Sequence, residues 1–349
     1  MPQAVRALVT GMGGDLGQAL VKALRLSNKL IECHGCDMDG AGVGAAFVDS
    51  FQVVPQANDP TYVSALKTLC DTRGIDVVVP GSEPEIAVLS RLGHPPRLPS
   101  GIPVVSQERE WLETYGDKLA CLQALSGKIE LPPFTDGVDR QAVATFIEQA
   151  GFPVVVKSRC SSGSRSLRVA HNPAELDAAL RATPLPLVQA FLDDSGGEFS
   201  VGMFACDHFS SAIAFRRQLG SSGCSWFAET SMDEAVLDYA MTIARITGLR
   251  GSANIQVRKT SKGVQLLEIN PRFSSLVAAR AACGFRDVEW AVELALGRIP
   301  DRPDGRFKHL RFRRFFHELV DFGDGFNAAT EWLPRGAPIS SQLVRCDAK

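Results

Sequence analysis

The 349-residue chain is 45% hydrophobic and 22% charged, with a formal net charge of −2. That composition is ordinary for a soluble globular protein of two or three domains, and so small a net charge gives no argument for a nucleic acid or membrane partner. No apolar run reaches the roughly 18 residues of a membrane span, and the N-terminus Met1-Pro2-Gln3-Ala4-Val5-Arg6 lacks a leader pattern, so a cytoplasmic location is expected. Nine cysteines, an odd count scattered singly apart from Cys33-x-x-Cys36, fit reduced thiols better than a disulfide framework. The one close pair has no second pair to complete a zinc site.

In chain order, residues 4–9 read as a short buried strand. Thr10-Gly11-Met12-Gly13-Gly14-Asp15-Leu16-Gly17 follows, then a helix to Leu26, a strand 30–33, and the acids Asp37 and Asp39. A strand, a Gly-rich turn, a helix and an acid twenty residues on make a βαβ opening suited to anions or a dinucleotide. The turn resembles the fingerprint of extended short-chain dehydrogenases. Those enzymes also need a Tyr-x-x-x-Lys pair, and four residues after Tyr62, Tyr115 and Tyr239 stand Leu66, Leu119 and Ile243.

Residues 62–73 read as helix and 75–79 as a buried parallel strand. Ser82 and Glu85 have the spacing of a capping box. Glu83, at the carboxyl end of that strand, is placed to face a ligand. Residues 93–103 are a Pro/Gly-rich connector, and 106–127, carrying Lys118, read as helix. Residues 151–157 form an apolar strand ending in Lys157, followed by the small, flexible loop Ser161-Ser162-Gly163-Ser164-Arg165, able to fold over phosphates. A helix at 173–182, a strand at 187–192 and a linker at 193–197 come next. Residues 198–204 alternate as an antiparallel strand and 211–215 form another, ending in Arg216-Arg217. A loop at 220–224, a helix at 232–247, a strand at 253–258 and a final helix at 285–296 follow. Residues 307–316 read as a basic edge strand, more readily solvated or salt-bridged than bound to nucleic acid.

One stretch organises the rest: Leu266-Leu267-Glu268-Ile269-Asn270-Pro271-Arg272. Glu268 and Asn270, two apart on a strand, project from one face. Hard oxygen ligands of this kind suit Mg²⁺, which takes one or two protein oxygens together with phosphate oxygens. Arg272 adds a fixed cation just beyond, and Gln256 lies on the expected neighbouring strand.

Taken in order, Lys118, Lys157, the Ser/Gly loop, the Gln189–Leu192 strand, Glu198, Gln256 and Glu268-x-Asn270-x-Arg272 resemble an ATP-grasp enzyme of the carbamoyl-phosphate-synthetase-like branch, over about residues 1–300. The resemblance implies an α/β protein whose ATP-grasp fold follows a Rossmann-like parallel-sheet domain. The implied divisions are 1–105 (Rossmann-like), 106–192 (helical linker and small lid), 193–300 (C-terminal ATP-grasp part with the metal site) and a 301–349 extension. It implies that Lys118 and Lys157 hold phosphates and that Ser162, Gly163 and Ser164 close over them. Gln189, Phe191 and Leu192 would meet adenine, and Glu198 the ribose. Gln256, Glu268 and Asn270 would hold Mg²⁺, with Mn²⁺ as an alternative ion, and Arg272 would stabilise the transferred phosphoryl group. Arg217 is the candidate for the substrate carboxylate. The chemistry implied is phosphorylation of a small-molecule carboxylate by ATP and attack by an amine. Carbamate or carboxyphosphate chemistry is an alternative, and a dinucleotide oxidoreductase or epimerase a more distant one. The resemblance leaves room for a homodimer.

Overall fold

The computed structural model describes residues 4–40, 42–160, 167–220, 223–314, 319–321 and 326–328. Two compact units divide the chain: Met1–Ser106 with Ser275–Lys349, and Gln107–Ser274.

The first unit opens with β1 (Val5–Val9), α1 (Asp15–Arg25), β2 (Ile31–Asp37), β3 (Ser50–Val53), α2 (Tyr62–Arg73), β4 (Val77–Val79) and α3 (Glu83–Leu89). The strands form a parallel sheet in the order β3-β2-β1-β4. Strands covered on both faces read as continuous apolar runs, as 77–79 do. Leu8 and Val78 share a core with Leu66 and Leu69 of α2. The order of strand addition reverses about β1, so the carboxyl ends of β1 and β4 flank the point where open α/β sheets form a crevice. Glycine is required there by close approach. A Cβ on Gly17 would lie 2.4 Å from the Gly11 carbonyl oxygen, and one on Gly81 2.1 Å from that of Thr10.

The second unit runs α4 (Arg109–Gly116), α5 (Lys118–Leu125), β5 (Phe134–Asp136), α6 (Arg140–Ala150), β6 (Val154–Ser158), β7 (Arg168–Ala170), α7 (Pro173–Ala182), β8 (Pro186–Ala190), β9 (Gly197–Ala205), β10 (Ser210–Leu219), β11 (Ser225–Ser231), α8 (Glu234–Ile246), β12 (Gly251–Thr260) and β13 (Gly263–Asn270). A small antiparallel sheet, β5-β8-β6-β7, packs its apolar side on α6 and α7 through Val154, Val156, Val188, Phe146, Leu176 and Leu180. A larger antiparallel sheet runs β13-β12-β9-β10-β11. Its apolar face, with Val201, Met203, Ile255, Val257, Leu266 and Ile269, is covered by Leu119, Leu122 and Leu125 of α5 and by Val236, Ala240 and Ile243 of α8. Burying side chains of this size contributes about 1.5–3 kcal/mol each, so this core fixes which way every strand faces.

The chain returns to the first unit with α9 (Val277–Cys283), α10 (Asp287–Ala295) and β14 (Arg311–Arg313), and β15 (Leu319–Asp321) pairs with β16 (Phe326–Ala328). Both α9 and α10 pack against α1. The fully buried pair Arg280–Asp287, 3.0 Å apart, braces the two helices. No helix among the described residues is long and apolar enough to cross a membrane.

Several elements differ from the expectations. The helix read across 106–127 breaks at Asp117, whose carboxylate accepts hydrogen bonds from the N–H groups of Leu119 and Ala120 and so starts a new helix at Lys118. Ser82 and Glu85 do not form a capping box. The Ser82 hydroxyl donates to the Glu85 carboxylate at 2.7 Å, and no side chain caps the helix. The helix expected at 285–296 forms as α10, α9 precedes it unforeseen, and of the basic strand read at 307–316 the described residues form Arg311–Arg313, with Arg314 donating to the Ser275 carbonyl and pairing with Asp15.

Candidate active site

Ladder pairing sets the site on the larger sheet. Asn254 pairs with Asn270, and Gln256 with Glu268. On the other side, Gln256 pairs with Ser200 and Arg258 with Glu198, while Glu198 also pairs with Arg217. Directly opposed residues share a face, so these polar side chains stand together on the face opposite the apolar core. The alternation of β13 is interrupted once. Gln256 opposes Glu268, but Val257 opposes Leu266, which leaves Leu267 as an extra residue in a β-bulge. The bulge lets Leu266 and Ile269 both reach the core while Glu268 and Asn270 both face away from it.

The bulge also has a chemical role. The Lys157 ammonium, at the end of β6, donates to the Leu267 carbonyl oxygen at 2.9 Å. Lys157 is only 8% exposed. Burial lowers its pKa to about 8, nearby Lys118 pushes the same way, and Glu268 partly opposes them. Lys118, the first residue of α5, lies 3.2 Å from the Glu268 carboxylate. Burial raises the Glu268 pKa, but Lys118, the Asn270 amide and Lys157 outweigh it and hold the group below the usual carboxylate range. The Asn270 amide nitrogen donates to Glu268 Oε1 at 3.0 Å, leaving its own carbonyl oxygen as an acceptor. Two ammoniums thus flank one ionised carboxylate, beside the amide oxygens of Asn270 and Gln256. The local surplus of positive charge and the hard oxygen donors fit a divalent cation carrying a polyanion. Glu268, Asn270 and Gln256 would hold such an ion.

The other expected site residues fall as follows. Glu198 accepts from Arg217 and from Arg258, and Arg217 also donates to Gln256 Oε1 at 2.6 Å. Arg217 thus binds two neighbours through Nε and Nη2, whereas the sequence expectation had it meeting a substrate carboxylate. The adjacent arginines point apart: Arg217 is only 9% exposed, and Arg216 lies over Gly197. Gln189 is buried on β8 with no partner for its amide nitrogen among the described residues, next to half-exposed Phe191. The Phe191 N–H is taken by the Pro153 carbonyl, and the Leu192 carbonyl by Arg258. Arg272 is partly buried just past β13 and donates to the Phe273 carbonyl. Ser162, Gly163 and Ser164 lie outside the described residues. Sequence reasoning missed Arg258, although its place two residues after Gln256 on a strand was a usable signal. It also missed Arg159, which grips Asp117 through Nε and Nη2 and so ties the end of β6 to the start of α5.

The Gly-rich turn of the first unit is a different kind of place. The N–H groups of Met12, Gly13 and Gly14 donate to the Cys36 carbonyl, the Asp37 carboxylate (2.7 Å) and the Gly11 carbonyl. Three donors that would meet an anion are occupied within the fold. Glu83, expected to face a ligand, is exposed at the helix start. Buried Glu85 instead takes hydroxyl donors from Ser82 and Tyr62.

A family described as ATP-grasp in the biosynthetic pathway with Ter operon matches residues 183–315, and a PylC-like N-terminal domain matches residues 8–104. The chain carries an ATP-grasp domain. It is 26% identical over 215 residues to the carbamoyl phosphate synthase large chain of Methanosphaerula palustris, covering 56% of this chain and 19% of that one. It is 26% identical over 260 residues to the formate-dependent phosphoribosylglycinamide formyltransferase of Synechococcus sp., covering 69% and 63%. The chain thus spans about a fifth of the first relative and under two thirds of the second. Among solved structures, the biotin carboxylase domain of Hydrogenobacter thermophilus 2-oxoglutarate carboxylase, in complex with MgADP, ADP and bicarbonate, superposes with a TM-score of 0.70 at 15% identity, covering 87% of this chain and 73% of that one. The parallel-sheet domain preceding an antiparallel ATP-grasp domain is therefore a shared fold. The polar face of β9, β10, β12 and β13 belongs to the ATP-grasp domain.

Proposed function

We propose that the chain is an ATP-dependent, ADP-forming ligase that joins a small-molecule carboxylate to an amine through an acyl phosphate, with ATP and Mg²⁺ on the polar face of the larger sheet. The observation that carries this reading is the convergence of Lys118, Lys157, Glu268, Asn270 and Gln256, from four separate elements, around one carboxylate. A carboxylate is a poor electrophile, and phosphorylation gives it a leaving group. The bond from the γ-phosphorus to the bridging oxygen breaks, and ADP departs. The amine nitrogen then attacks the acyl carbon, phosphate leaves, and the nitrogen gives up a proton. Phosphoryl transfer asks for positioning and charge neutralisation more than for a protein nucleophile. Lys118 and Lys157 supply charge beside the phosphates, and Phe191 offers an apolar surface for the base. Mg²⁺, held by Glu268, Asn270 and Gln256, neutralises phosphate charge when bound. The reading includes cytoplasmic, small-molecule chemistry, without a nucleic acid partner.

A second reading has bicarbonate as phosphoryl acceptor, giving carboxyphosphate. It is favoured by the bicarbonate in the superposed carboxylase domain and by the match to carbamoyl phosphate synthase. One assay separates the two: ADP release from MgATP with pooled amino acids, with pooled amines and carboxylates, or with bicarbonate alone. Amino-acid-dependent ADP supports ligation, and bicarbonate-dependent ADP without an amine supports the second reading. No substrate-dependent ADP in any arm, from protein with an intact melting transition, overturns both.

A further inference from the structure

Two ammoniums from separate elements flank Glu268: Lys157 from the end of β6 and Lys118 from the start of α5. One residue joins those two ends. Arg159, just past β6, donates to the Asp117 carboxylate through Nε at 3.1 Å and Nη2 at 2.8 Å. Its carbonyl oxygen accepts from the Lys118 N–H at 3.1 Å, and its own N–H donates to the Leu185 carbonyl at 3.1 Å. Asp117 Oδ1 also accepts from the N–H groups of Leu119 and Ala120, at 2.9 and 3.1 Å. The carboxylate that starts α5 is thus held by the guanidinium at the end of β6. The pair is largely shielded, with side chains 25% and 19% exposed, and both carboxylate oxygens are engaged within the fold. A two-pronged contact of this kind fixes direction as well as distance. Lys118 follows directly on Asp117, and Lys157 stands two residues before Arg159, so the contact sets how far apart the two ammoniums are rooted.

We propose that Arg159 is a positioning residue for the phosphates of ATP: clamped on Asp117, it sets the start of α5 against the end of β6 and so places the Lys118 ammonium beside Glu268 at a fixed distance from Lys157. The inference rests on the ATP reading above and goes beyond it, since that reading gives neither Arg159 nor Asp117 a part. Arg159 acts without touching a phosphate. Charge and geometry then make opposite demands. Acting by charge alone, loss of the guanidinium would weaken binding of a polyanion and loss of the Asp117 carboxylate would strengthen it. A clamp fails from either side, so both losses weaken binding, and both do so through Lys118.

The test measures MgATP affinity and the melting transition of the full chain. Arg159→Met and Asp117→Asn each bind MgATP about 10-fold or more weaker than wild type, as for loss of a charge-assisted pair that prepares the site. Asn serves at helix N-caps about as well as Asp, so Asp117→Asn keeps the helix start and removes the clamp. It carries the test by itself where Arg159→Met does not fold. In a Lys118→Met background either substitution costs less than about a further twofold, because a residue that acts through the ammonium has nothing left to place. A general loosening of the fold would instead add its loss to that of Lys118→Met in full. Asp117→Asn with wild-type or tighter MgATP binding overturns the proposal. So does a loss from either substitution that is undiminished in the Lys118→Met background. Wild type that does not bind MgATP overturns the ATP reading as well.

Discussion

Lys157 is the residue on which the electrostatics of the site turn. Burial holds its pKa near 8, below its ordinary value, so the folded chain disfavours the ammonium. The sign follows. Below pH 8 the charge is present in both folded and unfolded chains, and its burial costs stability. As the pH rises from 8 towards the unfolded value, that cost is relieved, while the cation needed for phosphates disappears. Nucleotide affinity should therefore fall as the pH rises through about 8, and MgATP binding at pH 8 should take up about half a proton. Calorimetry in two buffers of different ionisation enthalpy measures that uptake. None at pH 8 would mean that Lys157 does not meet the triphosphate. Glu268 is the counterweight. Glu268→Gln removes the charge that opposes burial at Lys157 and leaves two ammoniums facing each other. Turnover should drop by about 100-fold or more, as for loss of a transition-state charge partner, and the Lys157 titration should move to lower pH. Unchanged turnover would refute the metal and phosphate assignment.

At the scale of elements, the bulge at Leu267 joins the core to the chemistry. Val264, Leu266 and Ile269 face the core, while Glu268 and Asn270 face away, so removing Leu267 leaves regular alternation. What a deletion takes away is the carbonyl that receives Lys157. The Leu267 deletion variant should keep its far-ultraviolet dichroism and bind MgATP about 10-fold or more weaker, since a charged hydrogen bond of ~1.5–3 kcal/mol is lost. Full affinity in a folded deletion variant would show that the Lys157–Leu267 bond does not prepare the site. The alternation around Glu268 and Asn270 was legible in the sequence because strand periodicity is local. The bulge was not, because Leu266-Leu267 reads as one apolar pair and only the register with β12 exposes the extra residue. The break at Asp117 was similarly hidden: Trp111 to Leu125 keeps helical character on both sides, and the N-cap shows only in the Asp117 hydrogen bonds. Short β3 and the alanine-rich α9 escaped notice because neither carries a strong period; tertiary packing makes them. The pairing of Arg217 was hidden for a related reason, since its partners Glu198 and Gln256 lie 19 and 39 residues away.

For the molecule as a whole, the choice between a ligase and a dinucleotide enzyme comes down to where the backbone donors go. The turn Thr10–Gly17 has the sequence of a phosphate cradle, yet Met12, Gly13 and Gly14 spend their N–H groups inside the fold, and Asp37 holds a carboxylate against Gly13. A pyrophosphate there would have to displace an anion already hydrogen-bonded at 2.7 Å and accept repulsion from it. The glycines are explained without a ligand by the close approach of Gly17 to Gly11 and of Gly81 to Thr10. Cations and unfilled acceptors gather instead around Glu268. NADH and NADPH at concentrations up to about 1 mM, which is only ~4 kcal/mol of binding, should show no fluorescence enhancement or blue shift, whereas MgATP should raise the melting temperature. Asp37→Ala is the stringent arm. It frees the Gly13 N–H and removes the repelling charge, so nicotinamide fluorescence that appears only in that variant would confirm that Asp37 closes the turn. Enhancement with the wild-type chain would instead return the turn to dinucleotide binding and leave the ATP-grasp domain to account for only part of the activity.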